Sequence, residues 1–202
     1  MVQENSTLKS PEEELFFRHI EVNVRQKDIH LPLPGEIHAY VDGSLFPKEG
    51  IGGWACFLVS HDGQGFIRSG SHDTKSIARM ELTATIHAIA MFACFFRRDR
   101  LIIKTDYDLF ANAIKTRLDF WHENGWKNSR GTFIKNVDLW LALRGLFLFC
   151  DHMNLSISFE WVKSHQNDTG NTICDQAARQ SVEERIKNAT MPSDVGVTLS
   201  TR

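Results

Sequence analysis

The stretch YVDGSLFPKEGIGGWACFLV, residues 40–59, decides the fold. An apolar run ends on Asp42, passes through Gly43, Ser44, Pro47 and Gly50, and turns apolar again from Gly52. Asp-Gly is a strong hairpin signal, because Gly accepts positive φ and Asp can bond its own backbone. On that reading a strand over 37–42 finishes at the carboxylate and a second, over 52–60, returns beside it. A third strand over 65–71 follows the short turn HDGQ.

Working outward, Leu82, Ile86, Ile89, Ala93 and Phe96 recur at helical spacing, and Ala84, Ala88, Met91 and Phe95 widen the stripe, which predicts a helix over 77–97. LIIKTD (101–106) reads as a fourth strand, with a second helix from Tyr107 and a third over 137–150. LSISFEWVK (155–163) reads as a fifth strand. A last helix from near Asn171 carries Cys174, Ala177, Ala178, Val182 and Ile186 on one face. This order, β-β-β-α-β-α-α-β-α, predicts an α/β fold: a five-stranded mixed sheet, three antiparallel strands and then parallel ones, flanked by helices. Ligands collect at strand ends where the connectivity of such a sheet switches.

With 202 residues, 42% hydrophobic and 24% charged, the chain can bury one core. Residues 1–34 are polar, hold the run Glu12–Glu13–Glu14 and end in HLPLPG, which suggests an extension of unknown role with one short helix around 11–20. The domain is then expected over 35–188, with a disordered tail over 189–202. A net charge of −2 excludes a global basic field, so any polyanion must be held by a local patch. Cys56, Cys94, Cys150 and Cys174 form no zinc-like spacing and read as reduced core thiols. The N-terminus lacks a secretory pattern, and LTATIHAIAMFACFF is interrupted by Thr and His and short for a bilayer. A cytoplasmic, monomeric protein without a membrane partner is expected.

Four acids stand where this organisation brings segments together. Asp42 ends the first strand, Asp106 ends the fourth, and Glu81 and Asp175 lie near the starts of two helices. Each has a structural alternative. Asp106 can cap the helix from Tyr107, Asp175 can complete a capping box with Thr172, and Glu81 can complement a helix dipole. Gathered together, however, such carboxylates repel one another unless a cation neutralises them. Oxygen-only ligands suit Mg²⁺, with Mn²⁺ as the alternative. Two such ions support in-line phosphoryl displacement.

The segments YVDGS, ARMELTA, IIKTDYDL, GWKNSRGTFIKNVDLW and WVKSHQNDTGNTICDQAAR, taken together and in this order, resemble type I ribonuclease H in its bacterial form, over about residues 37–182. The resemblance implies the ribonuclease H-like fold and cutting of the RNA strand of an RNA–DNA hybrid, with 3′-hydroxyl and 5′-phosphate ends. It carries Asp42, Glu81, Asp106 and Asp175 over as ligands of two metal ions. It makes His165, in the polar loop KSHQNDTGN, a proton shuttle or aid to product release, a role that suits an imidazole titrating near neutral pH. Gly43, followed by Ser44, would let a nucleic-acid backbone approach the metals.

Residues 115–136 hold Lys115, Arg117, Lys127, Arg130 and Lys135 against Asp119 and Glu123, with Phe120, Trp121 and Trp126 interleaved. Cations and rings together suit backbone tracking. The segment resembles the basic protrusion of the bacterial enzymes. That match implies Trp121 against a DNA sugar, Asn136 with Ser76 around a DNA phosphate, Lys127 and Lys135 on phosphates, and Asn171 on the RNA strand. Ile77-Ala78 departs from the family, which usually has a polar pair there that reads the minor groove. His122, Glu123 and Asn124 replace a typically cationic run, and Arg117 stands where Trp is common. Two other readings remain: a nuclease of the same fold with relaxed or different nucleic-acid substrate, and a non-catalytic nucleic-acid-binding module.

Overall fold

The computed structural model describes residues 18–25, 29–96, 99–107, 114–162 and 168–190. In chain order the elements are β1 (Arg18–Asn23), β2 (Glu36–Phe46), β3 (Ile51–Ser60), β4 (Gln64–Asp73), α1 (Ile77–Phe95), β5 (Arg100–Thr105), α2 (Ile114–Glu123), α3 (Val137–His152), β6 (Ser156–Trp161) and α4 (Thr169–Thr190). They form one mixed sheet in the order β1-β4-β3-β2-β5-β6. The pairs β1–β4, β4–β3 and β3–β2 are antiparallel, and β2–β5 and β5–β6 are parallel.

Alternation along the strands divides the core in two. Ile37, Ala39, Val41, Trp54, Cys56 and Leu58 point to one face and pack with α1 and α3. Tyr40, Ala55, Phe57 and Val59 point to the other, where Cys174 and Ala178 of α4 cover them. The central strand β3 is therefore apolar on both faces and buried from Gly52 to Ser60. Helix α1 is long and apolar enough to cross a bilayer by composition, but most of it is buried, between the sheet and α3.

The Asp42-Gly43 pair is not a turn. Strand β2 runs through it to Phe46, and the hairpin bends at residues 47–50, where Gly50 takes φ +68° and donates its N–H to the Phe46 carbonyl at 3.0 Å. Glycine at 43 serves a close approach instead. A Cβ there would lie 2.9 Å from Met80 Cβ and 3.0 Å from the Glu81 nitrogen, so its absence lets the start of α1 settle on the strand. Gly53 does the same on the opposite face, where a Cβ would lie 2.0 Å from the Ala178 carbonyl oxygen of α4.

The sheet has six strands, one more than expected. Residues 18–20, placed in a short helix by the sequence reading, begin β1, which pairs with β4 in the register Ile20↔Ile67. Its apolar residues find partners only through that pairing, which local periodicity does not announce. The chain then reaches under the sheet: Val24 donates to the Gly63 carbonyl at 2.9 Å, and Ile29, 5% exposed, joins the core beneath α4. Tyr107 is not helical, and α2 is described from Ile114. Helix α4 continues to Thr190, so residues 189 and 190 are helical, and the rest of the expected tail lies outside the described residues, as do residues 11–17. All four cysteines are free. Cys56, Cys150 and Cys174 are buried, but Cys94 is exposed rather than a core thiol.

Candidate active site

Three of the four acids meet. One oxygen each from Asp42, Glu81 and Asp106 lie within 4.8 Å of one another. Asp42 sits within β2. Asp106 follows the last residue of β5, whose parallel register sets Tyr40 beside Lys104 and so brings the next residue of the same face, Asp106, alongside Asp42. Glu81 arrives from the other side on α1, one residue beyond its first turn. That turn holds no acid, so a helix-dipole role does not account for Glu81. Ser76 caps the helix, its hydroxyl accepting from the Arg79 N–H at 3.3 Å.

The Gly43 N–H is shared between two carboxylates, donating to Asp42 Oδ1 at 2.8 Å and to Glu81 Oε1 at 3.0 Å. The second Glu81 oxygen, Oε2, is buried with no hydrogen-bond partner among the described residues, and Glu81 is only 6% exposed. Burial, then the charges of Asp42 and Asp106, holds the Glu81 carboxyl well above the ordinary range. Burial, then Asp106, pushes Asp42 up to about 7, with a smaller push from Asp175. Crowded, desolvated carboxylates of this kind are costly to ionise without a cation. An all-oxygen donor set with one buried oxygen unclaimed fits a hard divalent ion.

Asp175 stands at the rim. It lies in the second turn of α4 rather than the first, because the helix begins at Thr169. Asp168 provides the cap: its Oδ1 accepts from the N–H groups of Gly170 (2.9 Å) and Asn171 (3.4 Å), and the Thr172 hydroxyl donates to its carbonyl. The capping box expected between Thr172 and Asp175 is thus replaced, which leaves Asp175 for another use. Its Oδ1 accepts from Arg179 Nε at 2.9 Å. A cleft of about 390 Å³ opens here, with Gly43, Ser44, Lys48, Ile77, Asp175 and Arg179 among its lining.

Of the residues expected to touch nucleic acid, Gly43 lies in β2, Trp121 in α2 and Asn171 in α4, Ser76 and Asn136 precede α1 and α3, and Lys127 and Lys135 lie between α2 and α3. Asn171, expected in the turn before α4, is in its first turn, and its Oδ1 is buried without a partner among the described residues. Asn136 precedes α3 with φ +58° and makes no side-chain capping bond. Its position relative to Ser76 is set by a bidentate pair, Arg79 of α1 donating to Asp138 of α3 at 3.0 and 2.5 Å, which ties the two helix starts together. Trp121 packs edge-on against Trp140, with ring centroids 5.3 Å apart. Lys127 and Lys135 are exposed, Lys127 lying over the Phe133 ring at 4.9 Å. His165 lies outside the described residues.

Sequence reading missed Arg179 and the Arg79–Asp138 clamp. The first was open to the i,i+4 rule, which pairs Asp175 with Arg179 on one helix face. The second joins residues far apart in sequence and carries no local signal.

The family model described as RNase H matches residues 34–183. The ribonuclease H of Anaplasma marginale (strain St. Maries) is 37% identical over 149 residues, covering 73% of this chain and 90% of that protein. The solution structure of the PFV RNase H domain superposes with a TM-score of 0.58 at 16% identity, covering 74% of this chain and 94% of that one. The crystal structure of LC11-RNase H1 in complex with RNA/DNA hybrid gives a TM-score of 0.50 at 14% identity, covering 74% and 99%. These two share the fold. The sheet order, the meeting of three carboxylates and the family match agree, and the chain belongs to the ribonuclease H family.

Proposed function

We propose that the chain hydrolyses the RNA strand of RNA–DNA hybrids, with Asp42, Glu81 and Asp106 holding divalent metal and Asp175 joining from the rim. The observation that carries this reading is the buried, unclaimed Glu81 Oε2 beside two further carboxylates. Enzymes of this family depend on a divalent metal, and Mg²⁺ suits the donor set, with Mn²⁺ able to take its place. When bound, two such ions activate water and stabilise the leaving oxygen in an in-line displacement, giving 3′-hydroxyl and 5′-phosphate ends.

The chain's own residues do the rest. The Gly43 N–H fixes one oxygen of Asp42 and one of Glu81 and so holds the two carboxylates side by side. The burial that raises both carboxyls also excludes water around them and strengthens their hold on a cation. Ser76 and Asn136, clamped by Arg79–Asp138, offer polar groups at two helix starts, a setting that suits a phosphate of the DNA strand. Lys127, Lys135 and Trp121 extend the contact along that strand, and Asn171 meets the RNA strand. In this scheme His165 moves a proton or speeds product release. We further propose a monomeric, cytoplasmic protein.

Cleavage of labelled RNA–DNA hybrid with Mg²⁺ tests the reading, comparing wild type with Asp42→Asn and Glu81→Gln. Both substitutions are expected to abolish cleavage, and activity that survives them removes the metal mechanism. Ile77, 45% exposed on the cleft wall, favours a second reading in which hybrid preference is relaxed. Parallel assays on double-stranded RNA and on DNA separate the two.

A further inference from the structure

Arg179 lies one helical turn beyond Asp175 on α4, and its Nε donates to Asp175 Oδ1 at 2.9 Å. The positive charge of the same guanidinium offsets a small part of the upward push that burial and the neighbouring acids exert on Asp42. It also lines the cleft beside the carboxylates. Both members of the pair are accessible, with side chains 58% and 36% exposed, so the contact can open without disturbing the core. Glu81 Oε2 is the opposite case, a buried oxygen with no partner to remove among the described residues. Glu81 Oε2 is thus unclaimed at the acidic centre, while an oxygen of Asp175 at its rim is occupied by a side-chain cation that solvent can reach.

We propose that Arg179 is the exchangeable counter-cation of the carboxylate centre, holding Asp175 in the metal-free protein and yielding its oxygen when a divalent ion binds. This rests on the metal centre proposed above and names what competes with the metal there. The exchange has two costs for the incoming ion. Breaking an exposed pair at i,i+4 spacing is worth about a factor of two in an equilibrium constant. A unit positive charge held several ångströms from a divalent ion in a largely aqueous setting adds roughly another factor of two to five. Removing the guanidinium charge should thus tighten metal binding about four- to tenfold, although a hydrogen bond to a proposed ligand is lost. A residue that merely oriented Asp175 would give the opposite sign.

The test is Mn²⁺ titration into the full-length, chelator-stripped protein without nucleic acid, followed by calorimetry or by the resonance signal of free Mn²⁺. Arg179→Gln is expected to bind more tightly by that factor, and Arg179→Lys, which keeps the charge, to stay near wild type. Near-ultraviolet circular dichroism checks that these exposed substitutions leave the fold intact. Unchanged or weaker binding in Arg179→Gln overturns the exchange. Asp42→Asn serves as the reference, since it should weaken binding whatever Arg179 does. If Asp42→Asn binds Mn²⁺ as wild type does, the metal centre falls and the exchange with it; if only the Arg179→Gln effect is missing, the exchange alone falls.

Discussion

Replacing Asp42 by Asn should make the metal-free protein more stable at alkaline pH, and the size of the gain follows from one carboxyl. In the folded chain Asp42 is pushed up to about 7 by burial and by Asp106, against an ordinary value of 3.8. Between those values the native protein keeps a proton that the unfolded chain has released. Its contribution to stability is therefore complete below the ordinary value and is lost as pH rises through about 7. At 1.36 kcal/mol per unit, the loss between about pH 5 and pH 8 comes to roughly 2.5 kcal/mol. His38 works in the other direction. Burial, then Lys104, lowers its imidazole from 6.5 to about 4, so that group costs stability on acidification through this window. A single pH profile mixes the two effects, but the difference between wild type and Asp42→Asn cancels His38. Denaturant unfolding in chelator should show the variant gaining about 2.5 kcal/mol relative to wild type on going from pH 5 to pH 8. Glu81, relieved of a neighbouring charge, adds to the gain in the same direction. Saturating Mg²⁺ should shrink the gap, because the ion supplies to wild type the neutralisation that Asn supplies to the variant. A difference that does not change with pH would refute the reasoning.

Gly53→Ala should cost about 3 kcal/mol or more, because the new Cβ meets the Ala178 carbonyl on α4 with no flexible side chain to give way; urea unfolding reads it, and the displacement of α4 should lower activity at any metal concentration. Ile77→Asn should lower KM for hybrid without changing the Mn²⁺ dependence, since it adds a donor and an acceptor on the cleft wall and leaves all four proposed metal ligands in place. Lys135→Ala should weaken hybrid binding and reduce the slope of log affinity against log salt by about one unit, as measured by anisotropy titration, if the lysine neutralises one phosphate. An unchanged slope would place Lys135 off the nucleic-acid path.

Much of the fold was legible because its signals are local. The stripe from Leu82 to Phe96, the unbroken apolar run of β3 and the alternation of β2 each reflect what that segment packs against. Asp42, Glu81 and Asp106 were legible as a group because two read as strand ends and the third stands near the start of the helix between those strands, an element order that brings them together. What escaped depends on partners remote in sequence. Asp42-Gly43 spells a turn, yet the glycine is needed because Met80 and Glu81 sit against it from another element. RHIEVN, residues 18–23, has only Ile20 and Val22 to suggest a strand, and its pairing with β4 supplies the rest. Asp168 outcompeted Thr172 as the cap of α4, since a carboxylate at that position reaches two N–H groups. Asp175 was thereby freed for the rim, a placement that its own neighbours in sequence do not reveal.

Strand β1 gives the segment before residue 34 a practical meaning for anyone who expresses this chain. The family match begins at 34, so trimming to that boundary would strip β4 of its neighbour and leave a row of bare peptide groups along the sheet margin. Val22, Val24 and Ile29 would leave the oily patch beneath α4 in the same cut. A shortened preparation would tend to stick to itself, and a poor yield could then be mistaken for a poor enzyme.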